Sequence, residues 1–155
     1  MKEGRRRRMR KHPKRLSDAG IGPWRYTELQ AICRQYREYK RTLAWARAGI
    51  VDRPRRRSGA WHKPDPTGNA AVNIAAMREQ KVVRIVEQSA ATVAEPVIAK
   101  AILKNVADGV PYNRMREKPP CGRNQFYILC LLFYIELDAR MLEEETSGTD
   151  ERRRG

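Results

Sequence analysis

Cysteine, histidine and long apolar runs are all scarce in this chain of 155 residues, and each shortage removes a class of function. The three cysteines, Cys33, Cys121 and Cys130, are odd in number, scattered and never in CxxC spacing, and only His12 and His62 could join them. That set builds no four-ligand zinc site, so no metal or cofactor is expected. The thiols are expected to be free, buried or half-buried, in a reducing compartment. The sequence carries no glycine loop to cradle phosphate and no nucleophile–histidine pairing at a suggestive spacing, and enzymatic activity is not expected. The longest apolar run, Phe126 to Ile135, falls far short of the ~20 residues that span a bilayer. Arg5 to Arg10 is not followed by the apolar stretch of a signal peptide. The expectation is a soluble cytoplasmic protein with no membrane partner. Strand-like alternation of useful length is also missing, so the fold class expected is all-α.

Basic residues, by contrast, are abundant. Lys and Arg number 33 against 18 Asp and Glu, a net charge of +15. This is the electrostatic footprint of a polyanion binder, and double-stranded DNA is the partner it favours. A solubilising basic surface or an acidic protein partner would produce the same balance. Nine Lys or Arg against the single acid Glu3 give the first fifteen residues about +8 of the total, leaving about +7 elsewhere. The charge is therefore not confined to a tail.

Four regions follow from pattern. Residues 1–20 read as a disordered basic arm, since like charges repel and few apolar side chains are present to bury. Residues 21–91 read as a long antiparallel helical hairpin. Its first helix starts at Pro23 and stops at Gly49, with Tyr26, Leu29, Ile32, Cys33, Tyr36, Leu43 and Ala46 on one stripe. Arg34, Arg37, Lys40, Arg41 and Arg47 line the other face. Residues 51–64 read as a loop, in which Trp61 is either an exposed anchor or, as favoured here, a clasp on the helices. The second helix starts near Asp65-Pro66-Thr67-Gly68, with Ala70, Ile74, Met77, Val82, Ile85 and Val86 as its stripe.

Residues 92–142 read as a three-helix helix-turn-helix module. Thr92-Val93-Ala94-Glu95 has the pattern of a capping box, which would start a third helix running to Asp108-Gly109. A short fourth helix is expected from Pro111 to Glu117, ended by Pro119-Pro120. A fifth is expected from Arg123 to Leu142, closing in Glu143, Glu144 and Glu145. Residues 143–155 then form a polar tail.

The stretch Gly109-Val110-Pro111-Tyr112-Asn113-Arg114-Met115, followed by Gly122-Arg123-Asn124-Gln125-Phe126-Tyr127, carries most functional information. It reads as a short helix, a turn and a longer helix opening with hydrogen-bonding side chains, the plan of a motif that enters the DNA major groove. Met115 and Phe126 are expected to be buried pins, with Ile98, Ile102 and Val106 beneath them. Arg123, Asn124, Gln125 and Tyr127 are the candidate base-reading residues. Arg bonds guanine in bidentate fashion, and Asn or Gln bonds adenine. Polar side chains also open most helices simply as caps.

On these residues the chain resembles phage late-gene transcriptional regulators of the ArpU/RinA type, themselves similar to sigma-70 region 4. The family's rhythm is matched by Gly109-Val110-Pro111-Tyr112, Met115, Arg123, Phe126-Tyr127 and Leu137, and upstream by Asp65-Pro66-Thr67-Gly68-Asn69-Ala70. The resemblance covers roughly residues 24–142. The chain departs from the pattern at Arg116, where a small residue is usual, and at Pro120, where the turn glycine stands. It departs again at Ile128-Leu129-Cys130-Leu131-Leu132, where basic residues are usual. That run demands burial, either in a deeper core or in a self-association surface.

The resemblance implies a sequence-specific DNA-binding transcription regulator of a phage or prophage, working in a bacterial cytoplasm and in contact with RNA polymerase. Backbone phosphates would be held by Arg5, Arg6, Arg7, Arg8, Arg10, Lys11, Lys14 and Arg15 of the arm. Arg55, Arg56 and Arg57 of the loop would add to this set, as would Tyr112, Arg114 and Arg116 beside the turn. Two other readings remain open: a DNA-packaging binder like a small terminase subunit, which would be a homo-oligomer, and a host-directed protein-interaction module.

Overall fold

Residues 14–47 and 66–153 are described by the structure, a computed structural model, with side chains over 14–44 and 74–147. Four α-helices account for most of them, α1 (Pro23–Arg47), α2 (Pro66–Val93), α3 (Pro96–Asp108) and α4 (Arg123–Arg153), and no strand occurs among the described residues. The fold is all-α.

Helix α4 is the spine. Its apolar residues recur on more than one side, so it cannot lie on a surface as an ordinary amphipathic helix does. Phe126, Phe133 and Leu137 are fully buried, and Leu129, Cys130 and Tyr134 nearly so. Against them stand Leu29 and Cys33 of α1, Val86 and Ala90 of α2, and Ile102 of α3, so every helix contributes to one core. Each fully buried Phe, Leu or Ile contributes about 1.5–3 kcal/mol relative to exposure. The apolar run after Tyr127 is thus mostly core.

Polar bonds tie the helices where the stripes end. Arg25 of α1 donates from Nε to Asp138 of α4 at 2.6 Å, and this bond holds the guanidinium well above its ordinary proton affinity. Tyr36 Oη and Lys40 Nζ of α1 both donate to Glu87 of α2 at 2.9 Å, and the ammonium lies 5.5 Å over the Tyr36 ring. Arg140 of α4 bonds Glu136 on its own helix, and Gln88 and Thr92 of α2. Arg37 of α1 pairs with Asp108 at the end of α3 at 3.1 Å. The buried hydroxyl of Ser89 is satisfied by donating to the Ile85 carbonyl at 2.8 Å.

Five expectations from the sequence need correction. Residues 14–20, read as part of the arm, are structured: Leu16–Ala19 form a 3-10 turn, in which the Arg15 amide donates to the Asp18 carboxylate at 3.1 Å. Leu16 packs on the core and Ile21 is buried. The third helix does not start at a Thr92 capping box. Thr92 belongs to the last turn of α2 and donates to the Gln88 carbonyl. Glu95 is extended (φ −61, ψ 158) because it precedes Pro96, which occupies the first helical position of α3.

Pro111 to Glu117 is not an α-helix. Only Tyr112–Arg114 turn, as one 3-10 turn, and Met115 is extended with its side chain buried. The segment holds only two apolar side chains between prolines, Tyr112 and Met115, too little to offset helix nucleation. Helix α4 does not stop at Leu142 but runs to Arg153. The three acids expected to solvate its end are partly used: Glu144 pairs with Lys81, and Glu145 lies 3.6 Å from Arg25. Finally, Ile74 and Met77, expected on the packed stripe of α2, are 53% and 69% exposed. Residues 48–65, which include Trp61 and would close a hairpin, lie outside the described residues.

Candidate nucleic-acid interface

The amino end of α4 is set by what precedes it. Helix α3 stops at Gly109, whose left-handed backbone (φ 68) is the one position here where glycine is required. The Gly109 amide bonds the Asn105 carbonyl at 3.0 Å, and the Asn105 side-chain amide reaches forward to the Val110 carbonyl at 2.9 Å. The chain then crosses Tyr112–Arg114, and Met115 plugs into the core. Tyr112 donates its hydroxyl to the Cys121 carbonyl at 2.7 Å, pinning the far end of the loop just ahead of α4. Its ring also packs on Phe126, with centroids 5.5 Å apart.

Phe126 is the anchor of the first turn, fully buried and bonded by its amide to the Gly122 carbonyl at 2.9 Å. Around it Arg123, Asn124, Gln125, Tyr127 and Ile128 are all exposed, whereas Leu129, Cys130 and Phe133 turn inward. The first turn and a half of α4 therefore projects on more than half its circumference. The start of a helix also carries unpaired amides and the positive end of its dipole, both of which favour an anion.

Three of the four base-reading candidates, Arg123, Asn124 and Gln125, stand on this projection and are exposed. Tyr127 is 39% exposed, and its hydroxyl accepts from the Tyr112 amide at 3.4 Å, so it braces the loop as well. Arg114 and Arg116 are exposed on the approach, and Lys14 and Arg15 are exposed at the chain's first described residues. Tyr112 must be withdrawn from the phosphate-contacting set, because its one hydroxyl proton is committed to Cys121. Arg5, Arg6, Arg7, Arg8, Arg10 and Lys11 of the arm and Arg55, Arg56 and Arg57 of the loop lie outside the described residues.

Sequence reasoning missed two features. Ile128 belongs by pattern to the apolar run, yet it is 41% exposed beside Tyr127. Its position relative to Phe126, two residues on and across the helix, is the signal that could have found it. A cleft of about 620 Å³ also opens next to the projection, lined by Tyr26, Gln30 and Arg34 of α1, Asn105 and Asp108 of α3, and Tyr127 of α4. No single segment announces it, because three helices contribute.

The thiols are not poised for chemistry. Burial pushes Cys33 and Cys130 up to about 12, and all three cysteines are free. Among the described residues no group of three or more His, Cys, Asp or Glu could hold a metal ion, and no helix is long and apolar enough to cross a membrane. The chain matches no protein-family model, no curated protein and no solved structure.

Proposed function

We propose that this chain is a sequence-specific DNA-binding transcription regulator of phage or prophage origin, of the ArpU/RinA type, that reads the major groove with the start of α4. The observation that carries this reading is the exposure of Arg123, Asn124 and Gln125 together on a helix whose next turns are locked in the core. A reader must hold its side chains still against base edges. A first turn anchored by Phe126 and braced by Tyr112 meets that need. The connection from α3 to α4 is longer than the turn of an ordinary helix-turn-helix, so α3, rather than a short helix at 111–117, takes the supporting role. Exposed Ile128 adds an apolar contact suited to a thymine methyl group. The net charge of +15 supplies the sequence-independent part of the affinity. RNA polymerase, as the resemblance implies, is the protein partner in this reading.

Selection of bound fragments from a mixed-sequence duplex library at physiological salt tests the proposal. A consensus should emerge, and Arg123→Ala or Asn124→Ala should weaken binding to it by about 1–3 kcal/mol while relaxing preference at one position. Deleting residues 1–15 should weaken binding to every sequence alike. Absence of any consensus, or equal effects of the two changes, would defeat the assignment. A packaging role is favoured only by the exposed Ile74 and Met77 of α2, which suit contact with a second copy. A multi-subunit ring in size-exclusion measurements would select that reading instead.

A further inference from the structure

A second cleft, of about 570 Å³, lies between α1 and α3, and its lining includes Tyr36 and Lys40, the two side chains that bond Glu87 of α2. Five cations line it, Arg37, Lys40 and Arg41 from α1 and Lys100 and Lys104 from α3, against the single carboxylate of Asp108. The spacing is not accidental to one helix. Residues 37, 40, 41 and 44 share one face of α1, and 100, 103, 104 and 107 share one face of α3. The rest of the lining between the two faces includes the apolar Ala44, Leu103 and Ala107.

Two of the cations are already engaged, Lys40 by Glu87 and Arg37 by Asp108. Arg41, Lys100 and Lys104 are exposed, and among the described residues no carboxylate lies within ion-pair distance of them. Like charges facing each other across a cleft repel, so this arrangement is unfavourable until an anion enters.

We propose that the α1–α3 cleft is a phosphate track that holds the DNA backbone beside the reading end of α4. This rests on the DNA-binding reading above and extends it to a defined second surface. Ala107 and Asp108 border both this cleft and the one that reaches Tyr127, so a strand leaving the α4 start passes the end of α3 and enters the cations. Arg37 and Arg41 are separated by about 6 Å along α1, as are Lys100 and Lys104 along α3, at ~1.5 Å per residue. With one phosphate per ~3.4 Å of helix axis on each strand, that length takes on the order of two phosphates. Nucleic acid is favoured over an acidic polypeptide because the cleft adjoins, at Ala107 and Asp108, the one that reaches Tyr127 in the second turn of α4, and the whole chain is strongly basic. Asp108 competes with phosphate for Arg37.

The test measures affinity of the full chain against salt, for a selected duplex and for an unrelated mixed-sequence duplex. Arg41→Gln, Lys100→Gln and Lys104→Gln combined should weaken both complexes equally, by roughly 10- to 100-fold at physiological salt, and reduce the salt slope by about 0.9 for each phosphate left without its cation. Asp108→Asn should strengthen both several-fold, a gain that misfolding cannot imitate. Preference between the two duplexes should be unchanged in each variant, whereas Arg123→Ala should change it. An unaltered salt slope in the triple variant, or no gain from Asp108→Asn, overturns the track while leaving base reading intact. Duplex binding without sequence preference, but with the predicted slope changes, upholds the track and removes the regulator reading. No duplex binding by the native chain overturns both, as does poly-glutamate capture that matches duplex affinity and disappears in the triple variant.

Discussion

Phe126→Ala is the perturbation that most directly probes how the α4 start is held. The ring is fully buried and meets Tyr112 and Tyr127, each with centroids 5.5 Å away. Removing it deletes the transfer free energy of the side chain and leaves a void under the loop, together about 3–5 kcal/mol. The ring contacts place the cost toward the upper part of that range, since aromatic pairs add ~0.5–1.5 kcal/mol beyond area. With a urea m-value of about 2 kcal/mol/M, the midpoint should fall by roughly 2 M at unchanged slope. A domain of this size has on the order of 5–15 kcal/mol in total, so the variant remains measurable near neutral pH and low temperature. Urea titration followed by circular dichroism is the assay. A double-mutant cycle with Tyr112→Leu should return a coupling of about 0.5–1.5 kcal/mol. A midpoint shift below ~0.5 M, or a coupling indistinguishable from zero, would refute the anchoring role.

Other perturbations address separate parts of the structure. Tyr112→Phe removes the 2.7 Å bond to the Cys121 carbonyl and should cost about 1–2 kcal/mol in the same titration, although the ring packing is kept. Native protein treated with a thiol reagent at about pH 8 should lose Cys121 first, because burial holds Cys33 and Cys130 up at about 12; mass spectrometry showing equal rates at all three would contradict this. For the Lys40–Glu87 pair, burial pushes the Glu87 carboxyl up, but the bonds from Lys40 and Tyr36 outweigh it and leave it below its ordinary 4.5. Its contribution is therefore present above pH 4.5 and lost as pH falls through the lower folded-state value. Lys40, raised above 10.5 chiefly by its bond to Glu87, contributes fully below 10.5 and loses that contribution only as pH rises through its folded-state value. Glu87→Gln should cost less than ~1 kcal/mol at neutral pH, since both groups are substantially exposed, and the variant and parent should converge in acid. Asp138→Asn leaves the Arg25 guanidinium, whose Nη2 is buried without a partner, missing its strongest acceptor; it should destabilise by about 1–3 kcal/mol, read as a lower melting temperature.

Much of the local structure was legible in the amino-acid order. Pro23, Pro66 and Gly109 stand at helix boundaries because proline suits a first turn and glycine a left-handed stop. The stripe of α1, the buried positions of Ala101 and Ile102 on α3, and those of Met115 and Phe126 follow from apolar spacing, whereas Val97, which the same spacing puts on the α3 stripe, is 62% exposed. The misreadings have physical causes. Thr92 and Glu95 have the chemistry of a capping box, but Pro96 dictates the backbone of its neighbour and shifts the boundary. Residues 143–153 look like a tail by polarity, yet nothing in Glu143 to Ser147 breaks a helix, and cross-helix partners hold Glu144 and Glu145.

What the order of residues determined by itself is whatever acts over a few bonds: where helices begin and stop, which faces are apolar, how much positive charge the chain carries, and that a polar turn precedes Phe126. The tertiary structure alone decided which apolar faces find a partner, burying Val86 while leaving Ile74 and Met77 exposed on the same helix. It also brought Arg25 to Asp138 across 113 positions, and turned two ordinary basic helix faces into one cleft. Backbone preference falls off within a turn or two of chain. Burial and electrostatic fields depend on distances between segments far apart in sequence, and those exist only once the helices have packed.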